Sequence, residues 1–116
     1  MARSILVADD NRGFAELVAA TLEEAGYDVV TASTGLAAVA CMEQNDVDLA
    51  VLDVLMPGIS GDAVADRLRQ IVPELPVLLM TGSDEVYAAG TGLPVLRKPF
   101  PQEELLAAVR RLKPAD

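Results

Sequence analysis

The chain has no histidine, no tryptophan and one cysteine, and its 116 residues include only two tyrosines and two phenylalanines. Without histidine it cannot be a His-based hydrolase, a His-ligated zinc enzyme or a phosphohistidine donor. A single Cys41 excludes an internal disulfide and suits a reducing cytosol. So few aromatics leave no base-stacking platform for nucleic acid. Long apolar runs are missing too. The longest, such as Leu75–Met80, reach about six residues, against the roughly 20 that a spanning helix needs. No signal-peptide core precedes the acidic pair Asp9 and Asp10. Basic residues are scarce: nine Lys and Arg stand against eighteen Asp and Glu, a net charge of −9. That balance argues against a nucleic-acid surface. Arg110, Arg111 and Lys113 read as a solvated face at a helix C-terminus. A cytoplasmic protein with neither nucleic acid nor membrane as partner is expected.

The residues present describe a folded chain. The set AVILMFWYC supplies 52% of the sequence, too much for a disordered segment. The length suits one domain over 1–116. Short apolar runs at Ser4–Ala8, Asp28–Ala32, Leu49–Asp53, Val77–Thr81 and Val95–Arg97 alternate with amphipathic stretches. Ile5-Leu6-Val7, Leu49-Ala50-Val51-Leu52 and Val77-Leu78-Leu79-Met80 are apolar at consecutive positions, as in strands covered on both faces. Between them, Phe14, Leu17, Val18, Thr21, Leu22 and Ala25 form a helical stripe with Gly26 at its end. Thr34 or Ser33 can cap a second helix carrying Leu36, Val39, Ala40 and Met42. A third places Val64, Leu68 and Ile71 on one face, and Pro73 stops it. The last begins near Pro101 and buries Leu105, Val109 and Leu112. The segment Ser83–Gly92 carries little stripe beyond Val86 and Ala89, so a shortened helix is expected there.

Five βα units predict an α/β fold, a doubly wound flavodoxin-like (βα)5 sandwich with a parallel sheet of order 2-1-3-4-5. Ligands of such folds bind at the carboxyl ends of the strands, beside the switch point between strands 1 and 3. Asp9 and Asp10 end strand 1, Asp53 ends strand 3, Thr81 ends strand 4 and Lys98 follows strand 5, so all five fall at that edge. Three carboxylates crowded together either take up protons or gather a cation. Oxygen-only ligands favour a hard ion, Mg²⁺ or Mn²⁺. A lysine and a threonine beside them suit a phosphoryl group. The combination points to phosphoryl transfer onto an aspartate. Each residue also has a plainer reading. Asp9 and Asp10 could cap the first helix, Asp53 could be a turn residue, Thr81 a strand residue and Lys98 a surface lysine. Their joint placement at one edge favours the site.

These residues carry a family resemblance. Leu6-Val7-Ala8-Asp9-Asp10-Asn11, Asp53-Val54-Leu55-Met56-Pro57-Gly58-Ile59-Ser60-Gly61, Met80-Thr81-Gly82 and Lys98-Pro99-Phe100 occur in order along the whole chain. The sequence resembles the receiver domain of two-component response regulators. The resemblance implies that Asp53 accepts a phosphoryl group from a partner's phosphohistidine. It implies Mg²⁺ held by Asp10, Asp53 and the backbone carbonyl of Leu55, with Asp9 helping through water. It implies that Thr81 and Lys98 contact phosphoryl oxygens, and that the Lys98–Pro99 bond is cis. Pro57 and Gly61 would shape the loop that starts the third helix. The partner would be a sensor histidine kinase or a histidine phosphotransfer protein. The chain would catalyse only its own phosphorylation and dephosphorylation. Because Lys113-Pro114-Ala115-Asp116 ends the sequence, output is expected through contact with a downstream protein, with a homodimer possible.

Two positions depart from the family. Val95 stands where receivers usually carry an aromatic that turns with the threonine, so signal propagation is expected through the loops after strands 3 and 4. Sixteen residues separate Thr81 from Lys98, fewer than usual. Leu55 and Ser83, each two positions beyond a site residue, flank the path of a hydrolytic water. Leu55 cannot hydrogen-bond that water, so a long-lived acyl phosphate is expected. Other readings are weaker. A haloacid-dehalogenase-like phosphohydrolase would need an aspartate at position 55. A flavodoxin-like flavin binder would need a Ser/Thr/Gly phosphate loop where Asp9-Asp10-Asn11-Arg12 stands. A phosphorylation-independent pseudo-receiver would not need the acidic residues, Thr81 and Lys98 together.

Overall fold

The computed structural model describes residues 3–56, 58–82 and 93–112. Strands β1 (Ser4–Ala8), β2 (Asp28–Ala32), β3 (Leu49–Asp53), β4 (Val77–Thr81) and β5 (Val95–Arg97) form a parallel sheet of order β2-β1-β3-β4-β5. Helices α1 (Arg12–Glu24), α2 (Gly35–Gln44), α3 (Gly61–Ile71) and α4 (Gln102–Leu112) are described with it. The strands have the bounds that the apolar runs predict, and the sheet has the expected order. The shortened helix expected within 83–92, together with Ser83 and Pro57, lies outside the described residues.

Strand position explains the three continuous apolar runs. They form β1, β3 and β4, the interior strands of the sheet. Every residue of β3 and β4 is buried, whereas the edge strands β2 and β5 keep exposed positions. Side chains alternate across a strand, so each interior strand feeds two cores. On one face Leu6, Leu52 and Leu79 pack with Met42 of α2 and Leu68 of α3. On the other, Ile5, Val51 and Leu78 pack with Leu22 of α1 and Leu105 of α4.

The helix faces differ in part from the expected stripes. In α1 the inward residues are Ala15, Val18, Ala19, Thr21 and Leu22, while Leu17 is 58% exposed. In α2 they are Gly35, Ala38 and Met42, while Leu36 is 73% exposed. Both helices turn small residues toward their neighbours and so approach closely. A Cβ on Gly35 would collide with the side chains of Ile59 and Val64. A helix as apolar all round as α2 carries no pattern that selects its buried face. In α3 Val64 and Leu68 are buried as expected, but Ile71 is 39% exposed.

Turn chemistry places the loops. Asn11 caps α1, its side-chain oxygen accepting the Phe14 N–H at 3.1 Å. Gly26 follows the end of α1 at φ 101°, where a Cβ would be strained. Thr34 caps α2 by accepting the Ala37 N–H at 3.0 Å. The Lys98–Pro99 peptide is cis.

Candidate functional site: an acidic pocket at the carboxyl ends of the strands

The carboxyl end of β1 runs straight into the site. Asp9 follows the last residue of β1 and its N–H donates to the Ala32 carbonyl at 3.0 Å, continuing the ladder with β2. Its side chain is 1% exposed. Asn11 takes the cap of α1, so neither carboxylate is spent there, and the capping role weighed for Asp9 and Asp10 falls away. Instead Asp9 Oδ1 accepts the Asn11 N–H at 2.9 Å, and Asp9 Oδ2 accepts from Lys98 Nζ at 2.7 Å. Asp10 is exposed beside them.

Asp53 ends β3 on the neighbouring strand. Its Oδ1 accepts the Leu55 N–H at 3.3 Å, and its Oδ2 lies 3.5 Å from Lys98 Nζ. The loop beyond it returns at once. The Gly61 N–H donates to the Val54 carbonyl at 2.8 Å, and a Cβ on Gly61 would collide with the Asp53 carbonyl oxygen. Glycine is therefore required at 61 for close backbone approach. Leu55 sits in this loop and is 50% exposed.

Thr81 ends β4, buried at 1% exposure. Its carbonyl accepts the Lys98 N–H at 2.7 Å, which ties the end of β5 to the end of β4. Val95 pairs with Leu79 one strand in and packs partly buried against the α2–α3 side of the sheet.

One carboxylate oxygen from each of Asp9, Asp10 and Asp53 can be chosen so that all lie within 4.8 Å of one another. Burial, and then the charge of Asp9, push the Asp53 carboxyl above its ordinary value; Lys98 and the Leu55 N–H oppose this only in part. Ionised Asp53 thus works against the fold. This group stabilises the native state as the pH falls through its raised pKa, and the penalty is complete above it. Two buried carboxylates and an exposed one, with oxygen donors only, fit a hard divalent cation.

Phe14, which reads from the sequence as one residue of an apolar stripe, also reaches this pocket. Lys98 Nζ stands 4.5 Å from the centre of its ring. Phe14 in turn meets Phe100 edge to face, with ring centres 5.6 Å apart and planes at 79°. Phe14 lies in the first turn of α1, but no residue pattern around it marks the contact with a cation.

A doubly wound parallel sheet with carboxylates gathered beside its switch point defines the general class: an α/β protein whose site is built from strand ends. The model of the response regulator receiver domain matches residues 5–110, and the chain belongs to that family, the receiver domains of two-component systems. It is 38% identical over 117 residues to the alkaline phosphatase synthesis transcriptional regulatory protein PhoP of Bacillus subtilis, covering 97% of this chain and 49% of that one. It is 40% identical over 113 residues to the response regulator MprA of a Mycobacterium species, covering 93% of this chain and 49% of that one. The chain thus spans about half the length of the curated relatives it matches, 49% in these two cases. Among solved structures, a response regulator receiver protein from Sinorhizobium medicae superposes with a TM-score of 0.89 at 30% identity, covering 96% of this chain and 94% of that one. No helix among the described residues is long and apolar enough to cross a membrane.

Proposed function

We propose that the chain is a phospho-acceptor switch of a two-component system or phosphorelay, with Asp53 as the acceptor. The observation that carries this reading is the position of Asp53. It is a nearly buried carboxylate at a strand end, 3.5 Å from the Lys98 ammonium and crowded by Asp9 and Asp10. In the transfer, an Asp53 carboxylate oxygen bonds to phosphorus as the bond from phosphorus to the partner's histidine nitrogen breaks. The imidazole leaves with the electron pair. The donor is a sensor histidine kinase or a histidine phosphotransfer protein, because this chain supplies no histidine.

Lys98 offsets charge on the phosphoryl oxygens, and Thr81 offers its hydroxyl at the end of the adjacent strand. The Leu55 N–H holds one Asp53 oxygen and so orients the carboxylate. Asp9, Asp10, Asp53 and the Leu55 carbonyl would hold Mg²⁺, with Mn²⁺ as a substitute. When bound, the ion would neutralise the carboxylates and the incoming phosphoryl group. The chain turns over no external metabolite, and its output passes by contact with a downstream protein.

Incubation with acetyl phosphate, followed by intact mass spectrometry, tests the reading. One phosphoryl group should be gained in the presence of Mg²⁺ and none without it. Asp53→Asn should gain none, and should melt at a higher temperature than the natural chain in metal-free neutral buffer. Failure of the natural chain to gain mass, or an equal gain by Asp53→Asn, would overturn the assignment.

The exposed Leu55 side chain sets a second expectation. Leu55→Asn should shorten the life of the acyl phosphate by about fivefold, the worth of roughly one hydrogen bond to the attacking water. Decay of the phosphorylated species after donor removal measures it. An unchanged decay rate would remove Leu55 from the account.

A further inference from the structure

The pocket cation has a third neighbour that the phospho-acceptor reading does not use. Lys98 Nζ bonds Asp9 at 2.7 Å, lies 3.5 Å from Asp53, and also stands over the Phe14 ring at 4.5 Å. The chain has only two phenylalanines, and both are here: Phe14 from α1 and Phe100, two residues beyond Lys98. The edge-to-face contact between them fixes the Phe14 ring plane, which a lone half-buried ring would not hold.

We propose that Phe14 is a positioning residue for phosphoryl transfer, its ring face holding the Lys98 ammonium at the pocket while the ammonium exchanges a carboxylate for a phosphoryl oxygen. The inference rests on the phospho-acceptor reading. Its physical basis is the difference between the three contacts. The bond to Asp9 is short and directional, and it competes with any phosphoryl oxygen for the same ammonium protons. The ring attracts the cation through its quadrupole and takes up none of the acceptor geometry. Lys98 can therefore turn toward Asp53 without leaving the ring. Without the ring, the four-carbon stem regains rotamers that carry the ammonium away into solvent.

Four versions of the chain test this: the natural one, Phe14→Leu, Phe14→Tyr, and one with pentafluorophenylalanine at position 14. Fluorination keeps the ring's shape nearly intact and reverses its quadrupole, so that the ring face repels a cation. The rate of phosphoryl gain from acetyl phosphate with Mg²⁺ is one readout. The other is the proton shift of the Lys98 ε-methylene, which the ring current of an aromatic at position 14 moves upfield whatever the activity. Phe14→Tyr should keep the natural rate. Phe14→Leu and the fluorinated chain should be slower by roughly threefold to tenfold. Phe14→Leu should also lose the upfield shift. Equal rates in all four, with the natural chain phosphorylated normally, would overturn the role of Phe14 and leave the phospho-acceptor reading standing. A slow leucine variant beside a fluorinated chain of natural rate would also overturn it, because bulk alone would then suffice. A natural chain that gains no phosphoryl group overturns both. Thermal melts of each variant exclude misfolding as the cause, and the tyrosine and fluorinated chains still decide if Phe14→Leu unfolds.

Discussion

Lys98→Met is expected to lower the unfolding free energy by about 2–3 kcal/mol in metal-free buffer, and to remove measurable phosphoryl gain. Methionine retains most of the stem and deletes the charge. What remains is Asp9, 1% exposed, with one backbone N–H at 2.9 Å and the carboxylate of Asp53 nearby. Breaking a buried pair by removing one partner typically costs about 3–5 kcal/mol, because the other charge is left uncompensated. The figure here belongs below that range, since Lys98 keeps 20% of its side-chain surface in solvent and water can reach the gap. Millimolar Mg²⁺ should recover most of the lost stability, because a cation among the three carboxylates offsets the same charge. Urea denaturation with and without Mg²⁺ measures both effects. A metal-free midpoint equal to that of the natural chain would show that the Lys98–Asp9 pair does not hold the pocket together.

Gly61→Ala should destabilise the chain by about 2–3 kcal/mol, as overpacking at a backbone contact does. It should also slow phosphoryl gain at least tenfold, since small misplacements of a reacting group cost that much. The new Cβ would meet the Asp53 carbonyl oxygen, and its next neighbours are also backbone atoms: the Val54 Cα at 2.9 Å and the Asp53 carbonyl carbon at 3.0 Å. Backbone cannot swing aside as a flexible side chain can. The loop must move away from β3 or carry Asp53 with it, and either change disturbs the placement of Asp53 relative to Lys98. Gly13→Ala is the control. Its Cβ would meet nothing closer than the Asn11 Oδ1 at 3.5 Å, within helix α1. It should be neutral or stabilising by about 0.5–1 kcal/mol. A Gly61→Ala variant as stable and as fast as the Gly13→Ala one would mean that the loop yields freely.

The strands were legible in the sequence because burial on both faces leaves a plain mark. Ile5-Leu6-Val7, Leu49–Leu52 and Val77–Met80 are continuous apolar runs because β1, β3 and β4 lie inside the sheet. The candidate site was legible because Asp9, Asp53, Thr81 and Lys98 each fall at or just past the end of a run, and a parallel sheet brings such ends to one edge. Helix faces were less legible. Leu17 and Leu36 look inward by hydropathy, yet they face out because Ala15, Ala19, Gly35 and Ala38 allow closer packing. Phe14 was missed for a different reason: an aromatic in an apolar stripe carries no sign that its ring meets a cation. That contact depends on how α1 sits beside the end of β5, which no local pattern records. The Asn11 cap was missed because three neighbouring polar residues, Asp9, Asp10 and Asn11, could all have served.

The acidic residues of the pocket and its cation stand on very different foundations. Asp53 extends from an interior strand with partners on both sides, whereas Lys98 follows β5, a strand of three residues that among the described residues pairs with β4 alone. Edge strands of this length are the first part of a sheet to open. Amide exchange should therefore be faster along Val95–Arg97 than along Leu49–Asp53. For a lineage under selection, this separates two adjustable properties. On the proposed function, changes in the outermost strand and the helix after it would alter the grip on a phosphoryl group, and with it the duration of a signal. On the same proposal, Asp53 would stay held at an interior strand, so the chemistry would persist while its timing diversified.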